Sequence, residues 1–394
     1  MSRIPRSLFH ALICVSALLP AARAAAPSQD DEARFLAGMS VKGTPLEAVG
    51  GSPASVAHAA AFDSAWSELD KHQLRPIAAW APAALGHWYS DAGPLLYFYS
   101  GPDFLYAHAF FPDASTYVLC GIEPIGALPR VEEIPPAAMD ASLSTLRDSL
   151  DSILNFSFFI TKKMKVQLAQ DSRLSGTLPL LYVFLERSGC HIDDVSFTGL
   201  DAAGQFTTGK TEAPAVKIVF TGSSGKAQTL YYFSSDLSDG PVDKSGLLKW
   251  CASLGPAPGF LKAASYLMHG GGFDSSRQFL LKDCPAILQD DSGIPAKYFP
   301  QPQWDLRLFG NYRGPIAIFK QFPQPALDQL KAAQKPAPLP FSVGYRWHPG
   351  ESSLILAQKT GLAQPIVTPA PSPAVSCGAP TVSGTGPAVS GTAP

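Results

Sequence analysis

The chain has 394 residues, 46% of them apolar and 16% charged, with 30 basic and 32 acidic side chains balancing to a net charge of -2. That supplies ample apolar surface for a core, and without a basic stripe interleaved with aromatics it leaves nucleic acid no electrostatic footprint to bind.

Residues 1–24 read as an export signal. Arg3 and Arg6 precede the nearly unbroken apolar run Leu8 to Leu19, Pro20 ends it, and Ala22-Arg23-Ala24 places small residues at alternate positions before a cleavage site. The run is too short to span a bilayer, so the mature chain is expected to start near Ala25. Cys14 is not a lipidation site, because Leu12-Ile13 stands where a small residue is needed. No later segment reads as a membrane span, since the most apolar stretch, Leu178 to Leu185, is short and contains Pro179. The expectation is a soluble exported protein, periplasmic or secreted, with no transmembrane segment in its mature chain.

Residues 25–94 form a helical lead-in, with Phe62, Trp66 and Leu69 at helical spacing and Pro76 starting a further piece. Residues 95–361 then mix strands and helices. Leu95 to Tyr99 suits a buried strand, Ser100-Gly101-Pro102-Asp103 a turn, Phe104 to Phe111 a short helix and Thr116 to Ile122 a second strand. A right-handed crossover makes the two strands parallel; the competing reading turns Phe104 to Phe111 into a strand. Leu143, Leu146, Leu150, Ile153 and Leu154 mark an amphipathic helix, and Thr177-Leu178-Pro179 opens another that Gly189 closes.

Val195 to Leu200 reads as a strand, and Ala215 to Thr221 with Gln228 to Ser234 as a hairpin around Gly222-Ser223-Ser224-Gly225. Helices are expected at Lys244 to Leu254, Phe260 to His269 and Ser275 to Lys282, then a short strand at Ala286 to Leu288. A last hairpin is expected to join Ser342 to Trp347 with Ser353 to Ala357. These elements predict an α/β (or α+β) domain, a mixed sheet flanked by helices. Residues 362–394 collapse into Pro, Ala, Ser, Thr, Gly and Val and read as a disordered tail.

Cysteine leaves two readings open. An oxidising compartment allows one or two disulfides among Cys120, Cys190, Cys251 and Cys284, with Cys251–Cys284 the first choice; equally, these are single buried thiols.

Candidate chemistry centres on carboxylates. Asp290 and Asp291, in Gln289-Asp290-Asp291-Ser292-Gly293, lie just beyond a buried strand, where α/β folds build their sites, and Asp103 holds the equivalent place after the first strand. Asp103, Glu123 and Asp290 line one crevice if their strands are central in one sheet. His108 either faces that site or stacks in the core. His269, before three glycines, reads as a helix-terminal residue favourable to the helix dipole. Gly101 and Glu123 have the spacing of a dinucleotide or adenosyl-methionine fold, but one glycine stands where three are needed and Pro102 lacks an N–H, so no cofactor is expected. Neither a nucleophile elbow nor a zincin motif occurs.

Three strings, Ser100-Gly101-Pro102-Asp103-Phe104-Leu105-Tyr106, Ile287-Leu288-Gln289-Asp290-Asp291-Ser292-Gly293-Ile294-Pro295 and Gly344-Tyr345-Arg346-Trp347, resemble a widespread uncharacterised type of exported bacterial protein. The resemblance implies a self-standing exported protein and brings no activity, ligand or catalytic residue with it. The first expectation for function is binding or structural work on an envelope or extracellular ligand. The second is a hydrolase using Asp103, Asp290 or Asp291, with His108, as acid, base or metal ligand. A third is a degenerate nucleotide-type or adenosyl-methionine-type fold without cofactor.

Overall fold

Along the central strands apolar side chains point alternately to both faces, which forces helices onto both. The computed structural model describes residues 26–156, 174–346, 348 and 350–361. Its strands are β1 (Pro94–Tyr97), β2 (Thr116–Gly121), β3 (His191–Leu200), β4 (Phe206–Thr207), β5 (Ala213–Thr221), β6 (Ala227–Ser234), β7 (Gly259–Leu261), β8 (Ala286–Gln289), β9 (Trp304–Gly310) and β10 (Ser353–Lys359). They form one sheet in the order β4-β3-β5-β6-β2-β1-β7-β8-β10-β9. The centre, from β6 through β2, β1 and β7 to β8, is parallel, and antiparallel strands close both sides. The protein is therefore α/β with a mixed sheet.

The helices are α1 (Gln29–Leu36), α2 (Glu47–Gly50), α3 (Pro53–Leu69), α4 (Arg75–Leu85), α5 (Phe104–Phe110), α6 (Pro136–Phe156), α7 (Leu178–Arg187), α8 (Pro241–Lys244), α9 (Leu247–Ser253), α10 (Asp274–Asp283) and α11 (Pro325–Gln334). One face of the sheet presents Leu95, Tyr97, Tyr117, Leu119, Ile218 and Leu288 to Phe35, Phe62, Leu85, Phe104, Leu143 and Leu181 of α1, α3, α4, α5, α6 and α7. The other presents Leu96, Phe98, Val118, Ile287 and Ile355 to Leu247, Leu280 and Leu327 of α9, α10 and α11. Burying one such Leu or Phe is worth about 1.5–3 kcal/mol, so the two layers together hold the sheet. The lead-in belongs to the first of these cores. No helix among the described residues is long and apolar enough to cross a membrane.

The β1–α5–β2 crossover forms with its strands parallel, Leu96 beside Val118, so Phe104–Phe110 is a helix and not a strand. The β5–β6 hairpin turns at Gly222 to Gly225, as its glycines predict. Two expectations fail. Phe260 to His269 is not a helix: Gly259–Leu261 is the parallel strand β7, wedged between β1 and β8, and only Leu267–His269 makes a single 3-10 turn. The segment has helix-forming residues, but backbone pairing on both sides overrides that propensity. Nor is Ser342 to Trp347 the first arm of a hairpin. Among its described residues it contributes one bridge, Val343 to Arg346, while β10 pairs with β8 and with β9, a strand that was not expected although Trp304-Asp305-Leu306-Arg307-Leu308 alternates apolar and polar.

Cys120, Cys190, Cys251 and Cys284 are all buried and unbonded, so the Cys251–Cys284 disulfide does not form and the thiol reading stands. Burial pushes the Cys190 and Cys284 thiols up to about 12, which keeps them protonated and inert. The signal and tail readings, with Cys14 and Trp347, concern positions outside the described residues.

Candidate functional site

The parallel strands β2, β1, β7 and β8 end along one edge, and the described residues of the three resembling strings meet there. Asp103 follows β1 and caps α5, its Oδ1 accepting the Tyr106 N–H at 3.2 Å. Its Oδ2 accepts the Tyr97 hydroxyl at 2.8 Å and lies 2.9 Å from Lys262 Nζ. Lys262 follows β7 directly, with a side chain that is 2% exposed, and its ammonium sits 4.0 Å above the Tyr106 ring. The same cation attracts the Asp290 carboxylate. Sequence reading placed Lys262 inside a helix and so missed it; a lysine directly after a short apolar run bounded by Pro258 and Gly259 was the available signal.

Beyond Lys262 the chain turns sharply. Ala263, Ser265 and Tyr266 have φ of 52°, 54° and 54°, three non-glycine residues in the left-handed region within four positions. Each costs on the order of 1–3 kcal/mol and persists only where its surroundings over-determine it. Here they do. The Ala263 N–H donates to Asp290 Oδ2 at 2.9 Å and the Ala264 N–H to Ser292 Oγ at 2.8 Å. The Tyr345 hydroxyl accepts the Ser265 N–H at 3.1 Å and donates to the Ala263 carbonyl at 2.8 Å.

Asp290 is the hub of this web. Its Oδ1 accepts the Ser292 N–H at 2.9 Å and the Ser292 hydroxyl at 2.5 Å. Gly344, at φ 67°, passes so near that a Cβ there would lie 1.8 Å from Asp290 Oδ2, which is why glycine opens the Gly344-Tyr345-Arg346 string. Burial raises the Asp290 carboxyl, and the Ser292 and Ala263 donors and the Lys262 charge pull it back.

Asp291 points elsewhere, as neighbours in sequence do. Its carboxylate accepts the Tyr266 hydroxyl, and its main-chain carbonyl accepts the Gln324 side-chain amide at 2.8 Å. Burial and then the Asp290 charge raise its carboxyl to about 7, against Tyr266 and the Arg346 cation, which lower it. His269 lies beside Tyr266, ring centroids 4.8 Å apart, near the backbone of Asp291 and Gly293. Its Nε2 is buried without a hydrogen-bond partner among the described residues. Burial lowers its imidazole to about 4, so it is neutral and cannot serve a helix dipole as a cation. Over this group lie the half-buried rings of Phe319, Phe322 and Tyr345, each within 6.3 Å of the Tyr266 ring, and Ile318 beside them is 71% exposed.

The remaining candidates separate from this cluster. His108, partly buried, packs at a tilt on Phe104 with ring centroids 5.3 Å apart and lies 6.3 Å from Tyr117 beside the helical core, where burial lowers it to about 4. Of its two readings, the structure takes the core one. Glu123 accepts the Tyr232 hydroxyl at 3.3 Å and folds over Gly121, where a Cβ would lie 2.3 Å from Oε2, and near Gly101. An anionic ligand approaching the Gly101 turn would therefore meet a carboxylate. Compared with models of protein families, with curated proteins and with solved structures, the chain matches none.

Because the folded Asp291 carboxyl holds its proton more tightly than the unfolded one, at 3.8 in the unperturbed state, it lowers stability as pH rises through about 7. The stabilisation is complete below the unfolded value and lost above the folded one. Asp291→Asn is thus expected to gain about 2 kcal/mol over wild type between pH 5 and pH 8, read by urea denaturation at both. A difference that stays constant with pH would contradict the assignment.

Proposed function

We propose that the protein is an exported binding protein that takes a hydroxyl-rich cyclic ligand of the saccharide class at the Asp291 cluster. The observation that carries the reading is the convergence of three separate segments, 262–269, 289–293 and 344–346, on Asp291, Tyr266 and His269 beneath the Phe319, Phe322 and Tyr345 rings. Backbone strain is spent on that convergence, as at functional sites. Aromatic faces stack on sugar rings, and the Asp291 carboxyl beneath them, which keeps some exposure, can bond a ring hydroxyl while Tyr266 and His269 hold it from behind. Asp103 and Asp290 act as girders, since donors already occupy their oxygens.

Titrating the chain with mono- and disaccharides, followed by calorimetry, is expected to find saturable binding of at least one, weakened about tenfold or more by Phe319→Ala and by Asp291→Asn. Silence across the panel, or binding indifferent to both substitutions, would remove this reading. A second reading, a hydrolase with Asp291 as general acid or base, is favoured by that acid being held near 7. Turnover of chromogenic glycosides, esters or phosphates that Asp291→Asn abolishes would make it primary.

Export rests on the charged, apolar and small-residue order of residues 1–24. N-terminal sequencing of the protein recovered from producing cells is expected to begin near Ala25; an intact Met1 contradicts it.

A further inference from the structure

On the opposite side of the helical layer, α1, α7 and β3 meet. Ser28 caps α1 in a reciprocal box with Asp31, which fixes Asp30 in the first turn. Asp30 Oδ1 accepts the Ile192 N–H at 2.7 Å and lies 3.7 Å from His191 Nδ1. Glu186 is in the last turn of α7, and His191 opens β3 just past the Gly189 turn. One donor atom from each of Asp30, Glu186 and His191 lies within 4.8 Å of the other two.

A second observation makes this more than a cluster of acids. Glu186 is only 2% exposed, and its Oε1 has no hydrogen-bond partner among the described residues. A buried carboxylate oxygen left unsatisfied is costly, and more so with another carboxylate beside it. Arg34, the cation that faces Glu186 from α1, gives both Nε and Nη2 to the Ser40 carbonyl, at 3.2 and 2.9 Å. Burial and then the hydrogen bond and charge of Asp30 push the Glu186 carboxyl up to about 9, so the two carboxyls share a proton whose place a metal cation would take.

We propose that Asp30, Glu186 and His191 form a binding site for a divalent transition-metal ion of the zinc class. Two carboxylate oxygens and one imidazole nitrogen are a donor set that zinc accepts, with a fourth position left to water on the side where His191 is exposed. The Ile192 N–H on Asp30 already orients one ligand, the part an outer hydrogen bond plays in metal sites. The ion would fasten α1 to α7 and to β3.

Equilibrium dialysis of the tag-free chain against micromolar zinc chloride is expected to load one ion at this site. Glu186→Gln, of the same shape, and His191→Ala, at an exposed position, are each expected to weaken uptake about tenfold or more. Zinc should raise the melting temperature of the wild type and of neither variant, and circular dichroism of the metal-free proteins reports whether each variant keeps its fold. Absence of saturable uptake by the wild type overturns the assignment, as does uptake unchanged in both folded variants, which would put the ion elsewhere.

Discussion

A buried ammonium at the end of the central strand β7 constrains the whole functional edge of the sheet. Lys262 is 3% exposed, and an unpaired charge at that depth would cost several kcal/mol. It is met by Asp103, at the end of β1, by the Tyr106 ring of α5, and by the field of Asp290, at the end of β8. One cation therefore ties three adjacent strand ends together. The chain leaving Lys262 bends through left-handed residues, and the N–H groups of Ala263 and Ala264 fall on Asp290 and Ser292.

That arrangement divides the acids by role. Asp103 and Asp290 are saturated with donors and hold the loops. Asp291, adjacent in sequence to Asp290, points the other way and keeps only a tyrosine hydroxyl on its carboxylate among the hydrogen bonds described. Two neighbouring carboxylates in unlike surroundings are driven to unlike roles, and here one is structural and the other titrates near neutrality. The aromatic turn that carries Phe319 and Phe322 is tied down through Gln324, which bonds both the Asp291 carbonyl and the Ala296 N–H. Chemistry at Asp291 and shape at the rings are thus coupled through a short stretch of chain.

Where structure follows from local pattern, the sequence was legible. The β1–α5–β2 crossover announced itself by an apolar run, a Gly-Pro-Asp turn and a second run, and the β5–β6 hairpin by its glycines. Asp103, Asp290 and Asp291 were found by their places after strands. What escaped depends on partners distant in the chain. Phe260 to His269 carries helix-forming residues, and only pairing with β1 and β8 makes its start a strand. β9 is a different case, since Trp304-Asp305-Leu306-Arg307-Leu308 alternates apolar and polar and so carried a strand signal that sequence reading missed. Lys262, Tyr266 and His269 acquire meaning from Asp103 and Asp291, and no spacing connects Asp30 to Glu186 or His191. His108 shows the converse: adjacency to a candidate loop drew attention to a residue that the core absorbs.

Everything at this edge depends on Lys262 and Asp103 acting as a single interacting unit. A double-mutant cycle with Lys262→Met and Asp103→Asn, followed by urea denaturation, measures that coupling. Each single variant is expected to lose about 3–5 kcal/mol by leaving a buried charge unpaired, while the double variant loses far less than the sum. Losses that simply add would mean the two residues act independently, and the frame proposed for the Asp291 site would not exist.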